Sequence, residues 1–169
     1  ADGDQIYGVI KASSINHGGK TNGYTVPNPN AQAQVIASAL KESAIPPRAI
    51  SYIEAHGTGT SLGDPIEIAG LAKAFAEFTA DTQFCAIGSV KSNIGHCESA
   101  AGIAGLTKVL LQMKHGTLVP SLHSETPNPH IDFAASPFVV QRQAAEWKRP
   151  TIDGVEQPRI AGLSSFGAG

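Results

Sequence analysis

Three glycine-rich segments carry the residues whose types and spacing could do chemistry. The first is Glu54-Ala55-His56-Gly57-Thr58-Gly59-Thr60. A histidine directly after a strand-like run sits on a stiff support, its glycine neighbours let a ligand approach the backbone, and the hydroxyls of Thr58 and Thr60 can bond an amide-bearing ligand. The same residues also suit a turn whose histidine merely ends a strand. The second segment, Lys91-Ser92-Asn93-Ile94-Gly95-His96-Cys97-Glu98, puts a lysine five residues before a histidine. A cation near an imidazole disfavours imidazolium, so His96 tends to stay neutral. Taken alone, such a pair is usually a pair of surface residues; two histidine loops at one rim are a better candidate for a site. The third segment is Gly162-Leu163-Ser164-Ser165-Phe166-Gly167-Ala168-Gly169. Small residues after a strand can aim backbone N–H groups at a developing oxyanion, although a tight turn has the same composition.

Other chemistries find little support. His17, His56, His96, His115, His123 and His130 lack the spacing of a metalloprotease helix, and Cys85 and Cys97 lack a Cys-x-x-Cys partner, so no metal site is expected. His115, His123 and His130 read as structural. Cys97 reads as a thiol packed at a helix start rather than as a nucleophile. No P-loop or dinucleotide fingerprint is present, and no directly bound cofactor is expected.

The elements that must position these segments alternate. A strand is expected at Gln5–Ser14, a loop at Asn16–Pro29, a helix at Asn30–Ser43 stopped by Pro46-Pro47, and a strand at Ile50–Ala55. Asp64-Pro65-Ile66-Glu67 reads as a helix start with a capping box, followed by an apolar face of Ile68, Leu71, Phe75 and Phe78. A strand is expected at Phe84–Gly88. Ser99 is the expected cap of a helix ending near His115 with Gly116 as its stop. Ile103, Leu106, Val109, Leu110 and Met113 fall on nearly all its faces, which predicts a deeply buried helix. Strands at Pro137–Gln141 and Arg159–Leu163 follow. This βαβαβα-ββ order predicts a parallel α/β sheet with its chemistry beyond the carboxyl ends of the strands. The loops His56–Gly63 and Ser89–Ser99 then share one rim.

Composition narrows the setting. The 169 residues suit one domain, with 12 basic and 14 acidic side chains and a net charge of −2. That balance argues against a nucleic-acid surface. Charged residues make up only 15% while hydrophobic ones reach 41%, which hints that something covers part of the surface. The lack of a membrane span or signal peptide and the two cysteines read as reduced thiols predict a cytoplasmic chain with no membrane partner.

In EAHGTGT (Glu54 to Thr60), GDPIE (Gly63 to Glu67), KSNIGH (Lys91 to His96) and SSFGAG (Ser164 to Gly169), the chain resembles the C-terminal half of a β-ketoacyl synthase. The wording resembles modular type I polyketide synthases, and the SSFGAG ending is similar to that of trans-acyltransferase assembly lines. The resemblance covers essentially the full length. It implies a thiolase-like fold, with residues 1–169 as the second βαβαβαββ half of a five-layered α-β-α-β-α architecture. It also implies decarboxylative Claisen condensation of an acyl thioester with a malonyl-type extender. The substrate would ride on the phosphopantetheine of an acyl carrier protein, and the full ketosynthase would be a homodimer. His56 and His96 match the active-site histidines and Lys91 the active-site lysine. Thr58 and Thr60 match pantetheine-binding positions. Phe166, Gly167 and Ala168 match the segment that completes an oxyanion hole, with Ala168 where fatty-acid enzymes often carry a gating phenylalanine. The nucleophilic cysteine of the family belongs to the first half, and no such elbow occurs here.

Alternatives to a condensing role are a non-elongating ketosynthase, an isolated binding or docking fragment, and a thiolase-like degradative enzyme. The retained His56 speaks against the first. The absence of a C-terminal cysteine in a glycine-rich context speaks against the last.

Overall fold

The computed structural model describes residues 3–19 and 27–167. Helix α1 (Pro29–Ser43) begins where Asn28 accepts hydrogen bonds from the Asn30 and Ala31 N–H groups and Pro29 takes the first helical position. It ends at Ala44, in left-handed conformation, before the proline pair. Strand β1 (Tyr52–Glu54) leads to helix α2 (Gly63–Ala76), and strand β2 (Cys85–Gly88) to the single turn α3 (Lys91–Ile94). Helix α4 (Ala101–His115) follows and stops, as expected, at Gly116, with φ 60°. The short strands β3 (Thr117–Leu118), β4 (Phe138–Val140), β5 (Ala145–Glu146), β6 (Thr151–Ile152), β7 (Val155–Glu156) and β8 (Ala161–Leu163) complete the order.

The main sheet runs β4-β2-β1-β8, and every pairing in it is parallel. Register fixes the site. Glu54 of β1 stands opposite Gly88 of β2 and Leu163 of β8, so three strands end on one rung. The ladder continues just past it, with Ala55 N–H donating to Gly88 O (2.8 Å) and Ser164 N–H to Glu54 O (2.9 Å). The loops starting at His56, Ser89 and Ser164 therefore leave from the same rim.

Side chains alternate across this sheet. Ile53 joins Leu40 of α1 and Ile68, Leu71 and Phe75 of α2 on one face. Tyr52 joins Val109 of α4, Leu118 and Trp147 on the other. Helices thus cover both faces, as parallel sheets require.

Four expectations need correction. Residues 5–14 form no strand, because no strand among the described residues pairs with them, and Ile6, Val9 and Ile10 are each about three-quarters exposed. This segment runs beside α4, with Tyr7 against Lys114. Second, the capping box does not form: α2 starts at Gly63 after Leu62, with no side-chain cap, because Asp64 and Glu67 turn back to the preceding loop. Phe78 lies beyond the helix and is exposed. Third, Ser99 falls within a short 3-10 turn (Glu98–Ala100), and α4 begins uncapped. Fourth, α4 is not buried all round. Val109 is buried, but Ile103 and Leu111 are 61% and 51% exposed. Among the described residues no helix is long and apolar enough to cross a membrane.

Candidate active site

His56 emerges from β1 half-buried, and His96 follows α3 on the neighbouring loop in an exposed position. Their ring centroids lie 5.3 Å apart, edge to face. Phe166, from the loop after β8, sets its ring 5.9 Å from that of His56. All three rim loops thus contribute to one cluster, and Phe166 N–H donates to His56 Nδ1 at 3.3 Å.

The hydrogen bonds assign the tautomers. His56 Nδ1 accepts from the Phe166 backbone, and His96 Nδ1 accepts from Glu98 N–H at 2.9 Å. A neutral imidazole that accepts at Nδ1 carries its proton on Nε2. Each histidine therefore retains Nε2–H as a donor. Burial, then the Lys91 cation and then His96, push the pKa of His56 down to about 4. His56 is accordingly a neutral donor at physiological pH. Its imidazole NMR titration is expected to show a midpoint near 4 rather than the ordinary 6.5, with Nε2 protonated throughout the neutral range. A midpoint above 6 would contradict this assignment.

Lys91 heads α3 and is partly buried. Burial lowers its pKa, and the carboxylates of Glu67 and Glu54 oppose that shift.

A feature missing from the sequence reading holds the first loop. Glu67 of α2 is 4% exposed, and its two carboxylate oxygens accept from His56 N–H (2.7 Å) and Gly57 N–H (2.8 Å). Burial raises its pKa to about 7, against the downward pull of those N–H groups. Asp64 accepts from Gly59 N–H at 3.1 Å, and burial raises its pKa too. The signal in sequence was the pair of acids in Gly63 to Glu67, which serve the loop and not the helix end. Gly57 is required by geometry: its φ is +48°, and a Cβ there would meet Ser89 Cβ at 2.7 Å.

Thr58 and Thr60 sit side by side on the exposed part of the loop, their hydroxyl oxygens 3.3 Å apart, and Thr60 Oγ1 also accepts from Gly63 N–H. Gly167 is exposed. Ala168, expected at the oxyanion position, lies outside the described residues. Cys97 is partly exposed, with Sγ against Gly95 O at 3.9 Å, and Cys85 is fully buried in the core with its thiol pKa pushed up by burial. Among the described residues no group of three or more His, Cys, Asp or Glu could hold a metal ion.

Residues 7–125 match the family described as "Beta-ketoacyl synthase, C-terminal domain". The chain is 72% identical over 169 residues to the polyketide synthase PksM of Bacillus subtilis, covering all of this chain and 4% of that one. It is 66% identical over 170 residues to the polyketide synthase ThaG of Burkholderia thailandensis, again covering all of this chain and 3% of that one. Among solved structures it resembles the oxazolomycin ketosynthase domain OzmH KS7 of Streptomyces albus, with a TM-score of 0.95 at 52% identity. It also resembles the ketosynthase from module 6 of the bacillaene synthase of Bacillus subtilis, with a TM-score of 0.92 at 51% identity. In both cases it covers 99% of itself and 29% of the solved chain, so it spans a small part of the proteins it matches. The thiolase-like α/β fold expected from the motifs is borne out. With its histidine loops on one rim of that fold, the chain belongs to the β-ketoacyl synthase family, among the ketosynthases of polyketide synthases.

Proposed function

We propose that this chain supplies the histidine and lysine side of a condensing ketosynthase that elongates polyketide chains. The observation that carries the reading is the pair of adjacent imidazoles, each accepting a backbone N–H at its Nδ1 and so turning its Nε2 to the site. Two such Nε2–H donors suit an oxygen on which negative charge develops. Condensation creates that charge at the extender. The carbon–carbon bond to the carboxylate breaks, carbon dioxide leaves, and the electron pair forms an enolate whose thioester oxygen is the oxyanion. The enolate carbon then attacks the acyl thioester, and the thiolate of the nucleophilic cysteine departs. His56 and His96 hold the extender oxygen. Lys91 balances charge beside them and, with burial, keeps His56 from becoming imidazolium.

The nucleophilic cysteine comes from a further portion of the ketosynthase, the first half of the domain, which completes the site. Coverage of only 29% of the solved ketosynthases supports this. So do the exposed apolar side chains of Ile6, Val9, Ile10, Ile103 and Leu111, whose burial is worth roughly 1.5–3 kcal/mol each. Acyl and extender groups arrive on the phosphopantetheine of a carrier protein, and the complete ketosynthase is a homodimer in the cytoplasm. Thr58 and Thr60 bond the pantetheine amides. Phe166 and Gly167 border the acyl entrance.

The complete ketosynthase, given an acyl thioester and malonyl-loaded carrier protein, is expected to release carbon dioxide and form the β-ketoacyl carrier, read by intact-protein mass spectrometry. Acyl transfer without carbon dioxide release would favour the non-elongating alternative instead. Thr58→Val is expected to raise the KM for carrier-bound extender about 5-fold with kcat little changed, the mark of lost uniform binding. An unchanged KM would remove Thr58 from the pantetheine contact.

A further inference from the structure

Behind the rim lies a buried polar cluster that the reaction as described does not use. Tyr52, Glu54 and Lys108 are 0%, 2% and 7% exposed. They close a triangle on one carboxylate oxygen. Tyr52 OH donates to Glu54 Oε2 at 2.7 Å, Lys108 Nζ lies 2.9 Å from the same oxygen, and Lys108 also donates to Tyr52 OH at 2.8 Å.

The other oxygen points elsewhere. Glu54 Oε1 accepts from Val90 N–H at 2.6 Å. Val90 O in turn accepts from Asn93 and Ile94 N–H and so starts the turn that carries Lys91. One side chain of β1 therefore grips the backbone that leads to Lys91 and His96, while the main chain of the same strand runs straight on into His56. Space is reserved for it: a Cβ on Gly105 of α4 would come within 3.1 Å of Glu54 Cγ.

A buried ion pair is weak evidence of a stability role, since well-packed apolar replacements are often as stable. A buried carboxylate that spends one oxygen on a counter-ion and the other on a functional loop has a different use. We propose that Glu54 is a positioning residue, clamped by Lys108 and Tyr52, that fixes the Val90–Lys91 backbone and with it the placement of Lys91 and His96 relative to His56. This rests on the condensing reading above.

The test uses the complete ketosynthase and compares four variants. Glu54→Leu/Lys108→Met removes the charges together and leaves Val90 N–H without an acceptor. Glu54→Gln/Lys108→Met removes the same charges but keeps an amide oxygen for that N–H. Val90→Pro deletes the N–H and sets its ring Cδ against Glu54 Oε1, so it breaks the same contact from the loop side, at a φ of −63° that proline already favours. Val90→Ala controls for the side chain.

For Glu54→Leu/Lys108→Met and Val90→Pro, kcat for carbon dioxide release is expected to fall about 10-fold, with acyl loading and extender KM within about 2-fold of wild type. Glu54→Gln/Lys108→Met is expected to stay within about 3-fold of wild type, as Val90→Ala is. Exchange of the Val90 amide, which needs no reaction, is expected to be at least about 10-fold faster in Glu54→Leu/Lys108→Met. Wild-type carbon dioxide release tests the function reading, and the exchange result stands whether or not that reading does. The proposal fails if Glu54→Leu/Lys108→Met and Val90→Pro perform as wild type, or if the glutamine variant is as impaired as the leucine one. It fails equally if loading drops in step with release. Should the leucine variant not fold, Val90→Pro against Val90→Ala decides.

Discussion

His96→Ala in the complete ketosynthase is expected to lower extender decarboxylation by about 10²–10³-fold, the usual loss when one donor to a developing oxyanion is removed. Acyl loading of the cysteine is expected to survive. His96 follows the turn of Lys91–Ile94, its Nδ1 is occupied by Glu98 N–H, and its remaining donor is Nε2–H. That donor matters most where charge appears during the reaction, which is at the extender and not in the simpler thioester exchange that loads the enzyme. The loss should therefore appear in kcat for carbon dioxide release. Equal loss of loading and decarboxylation would remove His96 from the extender oxygen.

The second large effect is expected at Glu67. Glu67→Ala strips both acceptors from the His56 and Gly57 N–H groups. Buried donors left without partners cost about 1–3 kcal/mol each, so the variant is expected to lose about 2–6 kcal/mol of stability and most of its activity. Glu67→Gln keeps one acceptor and is expected to lose about half as much. Differential scanning calorimetry of the two variants checks the order, and a melting temperature for Glu67→Ala equal to wild type would contradict the clamp. The pH dependence has a definite sign. The folded-state pKa of Glu67 is raised from 4.5 to about 7, so the folded chain holds this proton more tightly than the unfolded one. The stabilisation this brings is fully present below the unfolded value and is lost as pH rises to about 7. Wild type relative to Glu67→Gln should therefore lose stability across that window.

The candidate site was legible in sequence because three of the four motifs lie at or just past the end of a strand, while Gly63 to Glu67 opens α2. Once β1, β2 and β8 are parallel and in register at Glu54, Gly88 and Leu163, the three loops must share a rim. The helices were legible from apolar spacing, and the stop at Gly116 from its residue type. What was not legible depended on partners distant in sequence. The β-branched bulk of Ile6, Val9 and Ile10 suits a strand, yet pairing decides whether a strand exists, and no described strand reaches it. Glu67 has the spacing of a capping residue, but its carboxylate turns to backbone ten and eleven residues earlier. The apolar surround of α4 foretold burial, whereas Ile103 and Leu111 stand in the open in this chain. Two further features were missed despite a signal. Asp153-Gly154, both at positive φ, makes the tight turn between β6 and β7, and a lone Trp147 fills the second core with its indole N–H on Ser51 Oγ.

The central claim is that His56 and His96 serve one oxyanion at the extender. A double-mutant cycle tests it most directly, measuring carbon dioxide release and acyl loading side by side in wild type, His56→Ala, His96→Ala and the double variant. If the two donors act on one oxygen, each single change should lower release about 10²–10³-fold, and the double should fall no more than about 10-fold further, with loading within about 3-fold throughout. A double loss equal to the product of the two single losses, or loading that falls with release, would contradict the account.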